Sequence, residues 1–205
     1  MAREDDFISA FNIAADELRE KDPVEVGRLS QAGYDPDKKE FRLDFIGRPH
    51  FVQWPEIKVL AGDTDQEPPL QEQGLILHYL NKADGSPLTG DLITYREVPS
   101  GEFYYPAFVK RAEAPLISVF GREVSRMIEA GESIGGVATS DMGDAALEVQ
   151  AFPSVALTLV LWEGDDEFEP TGKILFDKNI RHYLSTEDIA VLSGMVVYRL
   201  MRFAS

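Results

Sequence analysis

An α+β fold in one domain is what this sequence predicts, with a mostly antiparallel sheet packed against several helices, including a buried C-terminal helix. Three observations lead there. Val155–Trp162 is an unbroken run of strand-forming residues, while Phe41, Leu43 and Phe45 alternate with Arg42 and Asp44 in the two-residue period of a half-buried strand. Near the end of the chain Ile189, Val191, Leu192, Met195, Val196, Val197, Leu200 and Met201 make a helix that is apolar almost all round. A length of 205 residues is within what one core holds, so residues 1–205 are expected to form a single globular domain.

The elements follow in order. Phe7, Ile8, Phe11, Ala15 and Leu18 share one helical face, which predicts an N-terminal helix within residues 1–22 that Pro23 stops. Tyr34-Asp35-Pro36-Asp37 is a turn. The alternation at 41–45, the interruption Gly47-Arg48-Pro49 and the run Phe51-Val52-Gln53-Trp54 then predict a β-hairpin with one buried face. Residues 61–69 hold Gly, Asp, Thr, Gln and two prolines and read as a flexible loop. A short helix is expected over 70–80, ended by Asp84-Gly85-Ser86-Pro87, and Leu92-Ile93-Thr94-Tyr95 is rich in strand formers.

Pro106 is expected to open the next helix, and Pro115 to kink it or begin another. The stripe Leu116, Val119, Phe120, Val124, Met127 and Ile128 reads as one helix with Gly131 at its end. Leu147-Glu148-Val149 and Val155–Trp162 are strands, the second buried on both faces, and Ile174-Leu175-Phe176 returns after the turn at Gly164-Asp165-Asp166. Ser185 caps the last helix, with Glu187 and Asp188 in its first turn; it is expected over 185–203, against the strand that ends at Trp162. Ser193-Gly194 in its middle points to a close crossing.

Composition excludes whole classes of chemistry. Twenty Lys and Arg stand against 36 Asp and Glu, a net charge of −16, so nucleic acid and anionic membrane are poor partners. Between Arg126 and Lys173 no basic residue occurs, while acidic ones recur from Glu129 to Glu169. With no cysteine there is no disulfide, thiolate nucleophile or cysteine-ligated metal centre in the chain. Met1-Ala2-Arg3-Glu4-Asp5-Asp6 is acidic where a signal peptide is basic, so the cytoplasm is the expected compartment.

Few residues carry recognisable chemistry. Glu163-Gly164-Asp165-Asp166-Glu167-Phe168-Glu169 offers oxygen ligands but lacks the spacing of a calcium loop, so it reads as a solvated turn and no metal site is assigned. His50, His78 and His182 have no ligand spacing and read as structural or exposed. No G-x-S-x-G elbow occurs, and Gly135-Gly136 lacks the Lys-Ser/Thr of a phosphate loop.

The segment 96–111 is different. It gathers Arg96, Glu97, Tyr104, Tyr105, Lys110 and Arg111 around a strand-to-helix junction in a chain otherwise short of cations. Arg and Tyr donors beside helix N–H groups suit an anion or carboxylate, which makes Arg96, Tyr104, Tyr105, Lys110 and Arg111 the candidate ligand-binding residues. The ordinary alternative is a set of aromatic core anchors with charged ends reaching outward. Two other functions stay open: a small-molecule enzyme using Glu97, Glu113, Asp141 or Asp144 as acid–base groups or metal ligands, and an interaction module with an acidic face. No catalytic residue or cofactor is assigned, and the oligomeric state is not encoded legibly.

Several phrases of the chain are distinctive: Ser86-Pro87-Leu88-Thr89-Gly90, Ile93-Thr94-Tyr95-Arg96-Glu97-Val98-Pro99, Phe103-Tyr104-Tyr105-Pro106-Ala107-Phe108, Arg111-Ala112-Glu113-Ala114-Pro115-Leu116, Leu161-Trp162-Glu163-Gly164-Asp165-Asp166-Glu167-Phe168 and Tyr183-Leu184-Ser185-Thr186-Glu187-Asp188. In these the sequence resembles domain of unknown function 3786, an uncharacterised family of anaerobic bacteria and archaea, over most of residues 20–201. Some members of the family carry a separate four-cysteine iron–sulfur domain. The resemblance thus implies work near anaerobic redox or cofactor metabolism, with any cluster on a partner such as an iron–sulfur protein. It implies an accessory or binding role, for a small anionic molecule or a protein partner, and names no catalytic residue.

Overall fold

The structure, a computed structural model, describes residues 2–139 and 142–204. The chain is α+β, and its antiparallel pairing is carried by two sheets, one of four strands and one of five. Its contacts cluster into two compact units, a division that length and composition do not encode: residues 1–87 with 152–154 and 182–184, and residues 88–151 with 155–181 and 185–205. Among the described residues no helix is long and apolar enough to cross a membrane.

In the first unit α1 (Ala2–Arg19) ends before Pro23, as the sequence predicts, but Pro23 also opens a second helix, α2 (Pro23–Ser30). The Asp22 side chain caps it by accepting the Val24 N–H, and a proline at the first helical position sacrifices no hydrogen bond. Four strands, β1 (Gly33–Asp35), β2 (Glu40–Phe45), β3 (Arg48–Gln53) and β4 (Lys58–Ala61), follow as an antiparallel meander in that order. The expected hairpin is its centre, with Phe41 opposite Val52 and Leu43 opposite His50. Arg48 and Pro49 do not interrupt it. The turn is Ile46-Gly47, both with positive φ, which matches the twist of the flanking strands.

Residues 61–69 form a loop closed by pairing of Ala61 with Gln66, and α3 (Leu70–Lys82) follows. The Tyr79 ring stacks on Phe152 at 4.2 Å, which itself packs on Phe45 at 4.8 Å. The Tyr79 hydroxyl donates to the Ser30 carbonyl at 2.6 Å, and burial pushes its pKa up to about 12. His50 is also internal, its Nε2 2.8 Å from Glu72 Oε1.

The second unit holds the sheet β5-β9-β8-β7-β6, formed by β5 (Leu92–Thr94), β6 (Val137–Thr139), β7 (Ala145–Phe152), β8 (Val155–Trp162) and β9 (Thr171–Asp177). Leu157, Leu159, Val160 and Leu161 are all buried, so β8 is covered on both faces as its composition predicts. Three helical expectations need correction. Pro106 lies inside α4 (Gly101–Phe108) instead of opening it. The stripe from Leu116 to Ile128 is two helices, α5 (Ala114–Phe120) and α6 (Ser125–Glu132), broken at residues 121–124. Gly121 permits the break by lying against Pro170, where an added Cβ would be 2.6 Å from the proline Cβ. Gly131 is within α6 and makes room for Leu147, so it is not the helix end.

The last helix, α7 (Thr186–Met201), starts where Ser185 predicts, through a reciprocal cap in which Ser185 and Asp188 satisfy each other's N–H groups. It stops short of residue 203 and buries Ile189, Leu192, Val196, Val197 and Leu200. Close beside it run α5, α6 and the segment Val109–Glu113, while Trp162 remains 39% exposed.

Candidate functional site

The segment 92–120 builds the site from a strand, a tight turn and a distorted helix. β5 pairs with β9, with Ile93 opposite Phe176 and Thr94 opposite Leu175. A single 3₁₀ turn, Tyr95–Glu97, follows, fixed by Glu97 Oε2, which accepts both the N–H and the hydroxyl of Thr94 at 2.8 Å. α4 then begins directly against the Tyr95 carbonyl. Only glycine fits at 101, since an added Cβ would lie 1.9 Å from that oxygen.

Between α4 and α5 the backbone widens into one π-helical turn, Val109–Glu113. Pro115 supplies the reason: its nitrogen has no hydrogen for the Arg111 carbonyl, and its ring crowds the preceding turn, which an extra residue relieves. The result turns Glu113 inward, where it is 7% exposed.

Three residues then come into one line. The Arg96 guanidinium lies over the Tyr105 ring, 4.0 Å from its centroid, and the Tyr105 hydroxyl donates to Glu113 Oε2 at 2.8 Å. The Ile174 N–H of β9 also donates to Glu113, so this buried carboxyl ties the helical segment to the sheet. Beneath them, Phe108 stacks on Tyr95 at 4.1 Å and meets Phe176 edge-on. Arg96 also approaches Glu102 at 3.7 Å, a pair in which both side chains are exposed.

The remaining candidates take other positions. Tyr104 is exposed and meets Phe103 edge to face at 5.0 Å, and Phe103 is 80% exposed. Lys110 and Arg111 are exposed as well. The Arg111 stem lies on Gly194 of α7, whose missing side chain leaves the room; a Cβ there would be 2.9 Å from Arg111 Cγ. Thus the close crossing foreseen at Ser193-Gly194 is made by Arg111. The structure brings Arg96 and Tyr105 into direct contact and places Tyr104, Lys110 and Arg111 on the same segment without joining them to that contact.

Electrostatics follow the geometry. Burial raises the Glu113 carboxyl above its ordinary value, against the opposing pull of the Tyr105 hydroxyl, the Ile174 N–H and the charges of Arg96 and Lys173. Burial, and then the bond to Glu113, raise the Tyr105 hydroxyl. Glu97 is held below its usual range by the Thr94 N–H and hydroxyl.

The other sequence candidates are dispersed. Asp144 accepts the Glu163 N–H at 2.8 Å, Glu97 closes its own turn, and Asp141 lies outside the described residues. In the acidic turn Asp165 Oδ1 accepts the N–H groups of Glu167 and Phe168, and Arg122 bonds to Glu169. Among the described residues no group of three or more His, Cys, Asp or Glu is placed to hold a metal. His182 pairs with Asp84 at 2.7 Å.

One polar centre escaped the sequence reading. Asp177, 8% exposed, accepts the Thr89 N–H and hydroxyl, the Gly90 N–H and the Asn179 N–H. Burial raises its pKa, but the four donors outweigh that and hold it low. Thr89-Gly90 was the available signal, a short polar turn next to a strand.

Comparison with family models gives a match over residues 22–199 to domain of unknown function DUF3786. The chain belongs to this family. The DUF3786 span contains the whole of the Arg96, Tyr105 and Glu113 arrangement and the Asp177 centre, while α1 precedes it. No curated protein and no solved structure matches the chain.

Proposed function

We propose that this DUF3786 protein is a binding or accessory protein that recognises carboxylates on an acidic segment of a partner protein, through Arg96, Tyr104, Tyr105, Lys110 and Arg111. The seating of Arg96 carries the reading. Its guanidinium is laid over Tyr105, and Tyr105 is fixed in turn by a buried Glu113. An exposed arginine held this way has given up part of the rotamer freedom that binding would otherwise cost.

The surroundings favour a protein segment over an enclosed small molecule. Arg96, Phe103, Tyr104, Lys110 and Arg111 are all exposed, and arginine with aromatic rings is the usual composition of interface hot spots. The segment 95–111 carries Arg96, Lys110 and Arg111 against Glu97 and Glu102, a local excess of cations in a chain of net charge −16. An acidic ligand repelled by the rest of the surface finds its complement there.

The test is a fluorescence titration of the full chain with a labelled Glu-rich peptide bearing one phenylalanine. Saturable binding is expected to weaken as NaCl rises. Arg96→Ala and Arg111→Ala should each weaken it by about 10- to 150-fold, the equivalent of ~1.5–3 kcal/mol for a lost charge-assisted bond, with little change in melting temperature. Large stability losses with intact binding would overturn the proposal and make these residues internal partners. Tighter, arginine-dependent binding of inorganic pyrophosphate would assign the surface to a small anion instead.

A further inference from the structure

A second pair of arginines lies at the other end of α5. A groove of about 690 Å³ opens there beside residues 121–126 and Glu169-Pro170, a volume in the usual range of small-molecule sites, ~300–1,000 Å³. Ile117, Val119 and Pro170 give it an apolar lining, and Arg122 and Arg126 bring two guanidinium groups to it. All of these residues belong to the second unit.

Each guanidinium has two kinds of partner. One is a main-chain carbonyl: Arg122 donates to Asp165 O at 3.2 Å, and Arg126 donates to Ala204 O. The other is an exposed carboxylate: Glu169 is 3.0 Å from Arg122 with its side chain 86% exposed, and Glu123 is 3.6 Å from Arg126 with its side chain 64% exposed. The carbonyls are part of the backbone and each keeps one N–H of a fork beside the groove. Exposed ion pairs contribute little, because water and salt compete with them and two long side chains must be held still. The two glutamates are therefore replaceable partners on arginines that the backbone keeps at the groove.

We propose that this groove binds a small organic dicarboxylate with an apolar body, one carboxylate on Arg122 and the other on Arg126. Such a ligand would displace Glu169 and Glu123 and gain what neither glutamate offers, contact of its carbon chain with Ile117, Val119 and Pro170. A monocarboxylate would engage one fork and leave the other paired as before. The inference does not rest on the Arg96 surface.

Calorimetric titration of the full chain with aliphatic dicarboxylates from succinate to suberate, and with hexanoate as the monocarboxylate, tests it. The expected result is saturable binding that peaks at one chain length and exceeds hexanoate by at least about tenfold, the equivalent of ~1.4 kcal/mol. Arg122→Lys and Arg126→Lys keep the charge but remove the fork, and should each weaken binding by about tenfold or more in protein whose melting curve stays cooperative. Glu169→Gln, by removing a competitor, should strengthen it. No saturation at millimolar concentration with any chain length, equal affinity for hexanoate, or affinity unchanged in both lysine variants would overturn the proposal.

Discussion

At Glu113, burial and hydrogen bonding pull in opposite directions. Its carboxyl lies inside the π-turn with Tyr105 donating to it, and burial wins, raising its pKa above the ordinary value. The folded protein therefore holds this proton more tightly than the unfolded chain. The stabilisation is complete below the unfolded pKa, about 4.3, and is lost as pH rises through the higher folded value. Glu113→Gln is neutral at every pH and keeps an acceptor for Tyr105. Denaturant titrations from about pH 4 to 7 should show wild-type stability falling relative to this variant as pH rises. A flat trend would mean that burial and hydrogen bonding cancel, and an opposite trend that the charged form is favoured, held by Arg96 and the Ile174 N–H.

Among the elements, α7 couples the core to the candidate surface. Leu192, Val196 and Val197 on it are buried, and Gly194 receives the stem of Arg111 from the π-turn. Leu192→Ala should cost about 2–5 kcal/mol in a denaturant titration, as other large-to-small changes in cores do. A loss near zero would show that the neighbouring helices collapse around the gap or that α7 is peripheral. The π-turn is the less ordinary element, because its distortion comes from Pro115 and its consequence is the inward position of Glu113. Without that turn, Tyr105 would have no buried acceptor and Arg96 no fixed ring to lie on.

For the molecule as a whole, a net charge of −16 dominates. The stretch between Arg126 and Lys173 has no cation of its own, and Arg122 at Glu169 is an exposed pair of small worth. Carboxylates brought close by folding repel one another and separate on unfolding, so screening should favour the native state. Calorimetry at neutral pH should show the melting temperature rising as NaCl increases from about 0.01 to 0.15 M, where the Debye length shrinks from ~30 to ~8 Å. A fall would mean that attractive pairs such as Arg48 with Asp63 outweigh the repulsion. Magnesium at matched ionic strength should protect no more than NaCl, because the Asp165 turn is already closed by its own N–H groups and Arg122.

The sequence by itself determined what depends on neighbours along the chain. The β2 and β8 strands, α3 and the start of α7 at Ser185 were legible, because periodicity and capping are written within a few residues. It also gathered Arg96, Tyr104, Tyr105, Lys110 and Arg111 into one candidate segment, since they are close in sequence. The short elements α2, β1, β4 and β6 carry too few residues for a period to show. Only the tertiary structure decided that Arg96 lies on Tyr105, that Glu113 serves as its buried support, and that Gly194 seats Arg111. The same holds for the break at Gly121 and the groove beyond it, where Arg122 meets Glu169 across 47 positions. Such contacts join residues whose spacing carries no local signal, so they arise only when packing has fixed where each backbone runs.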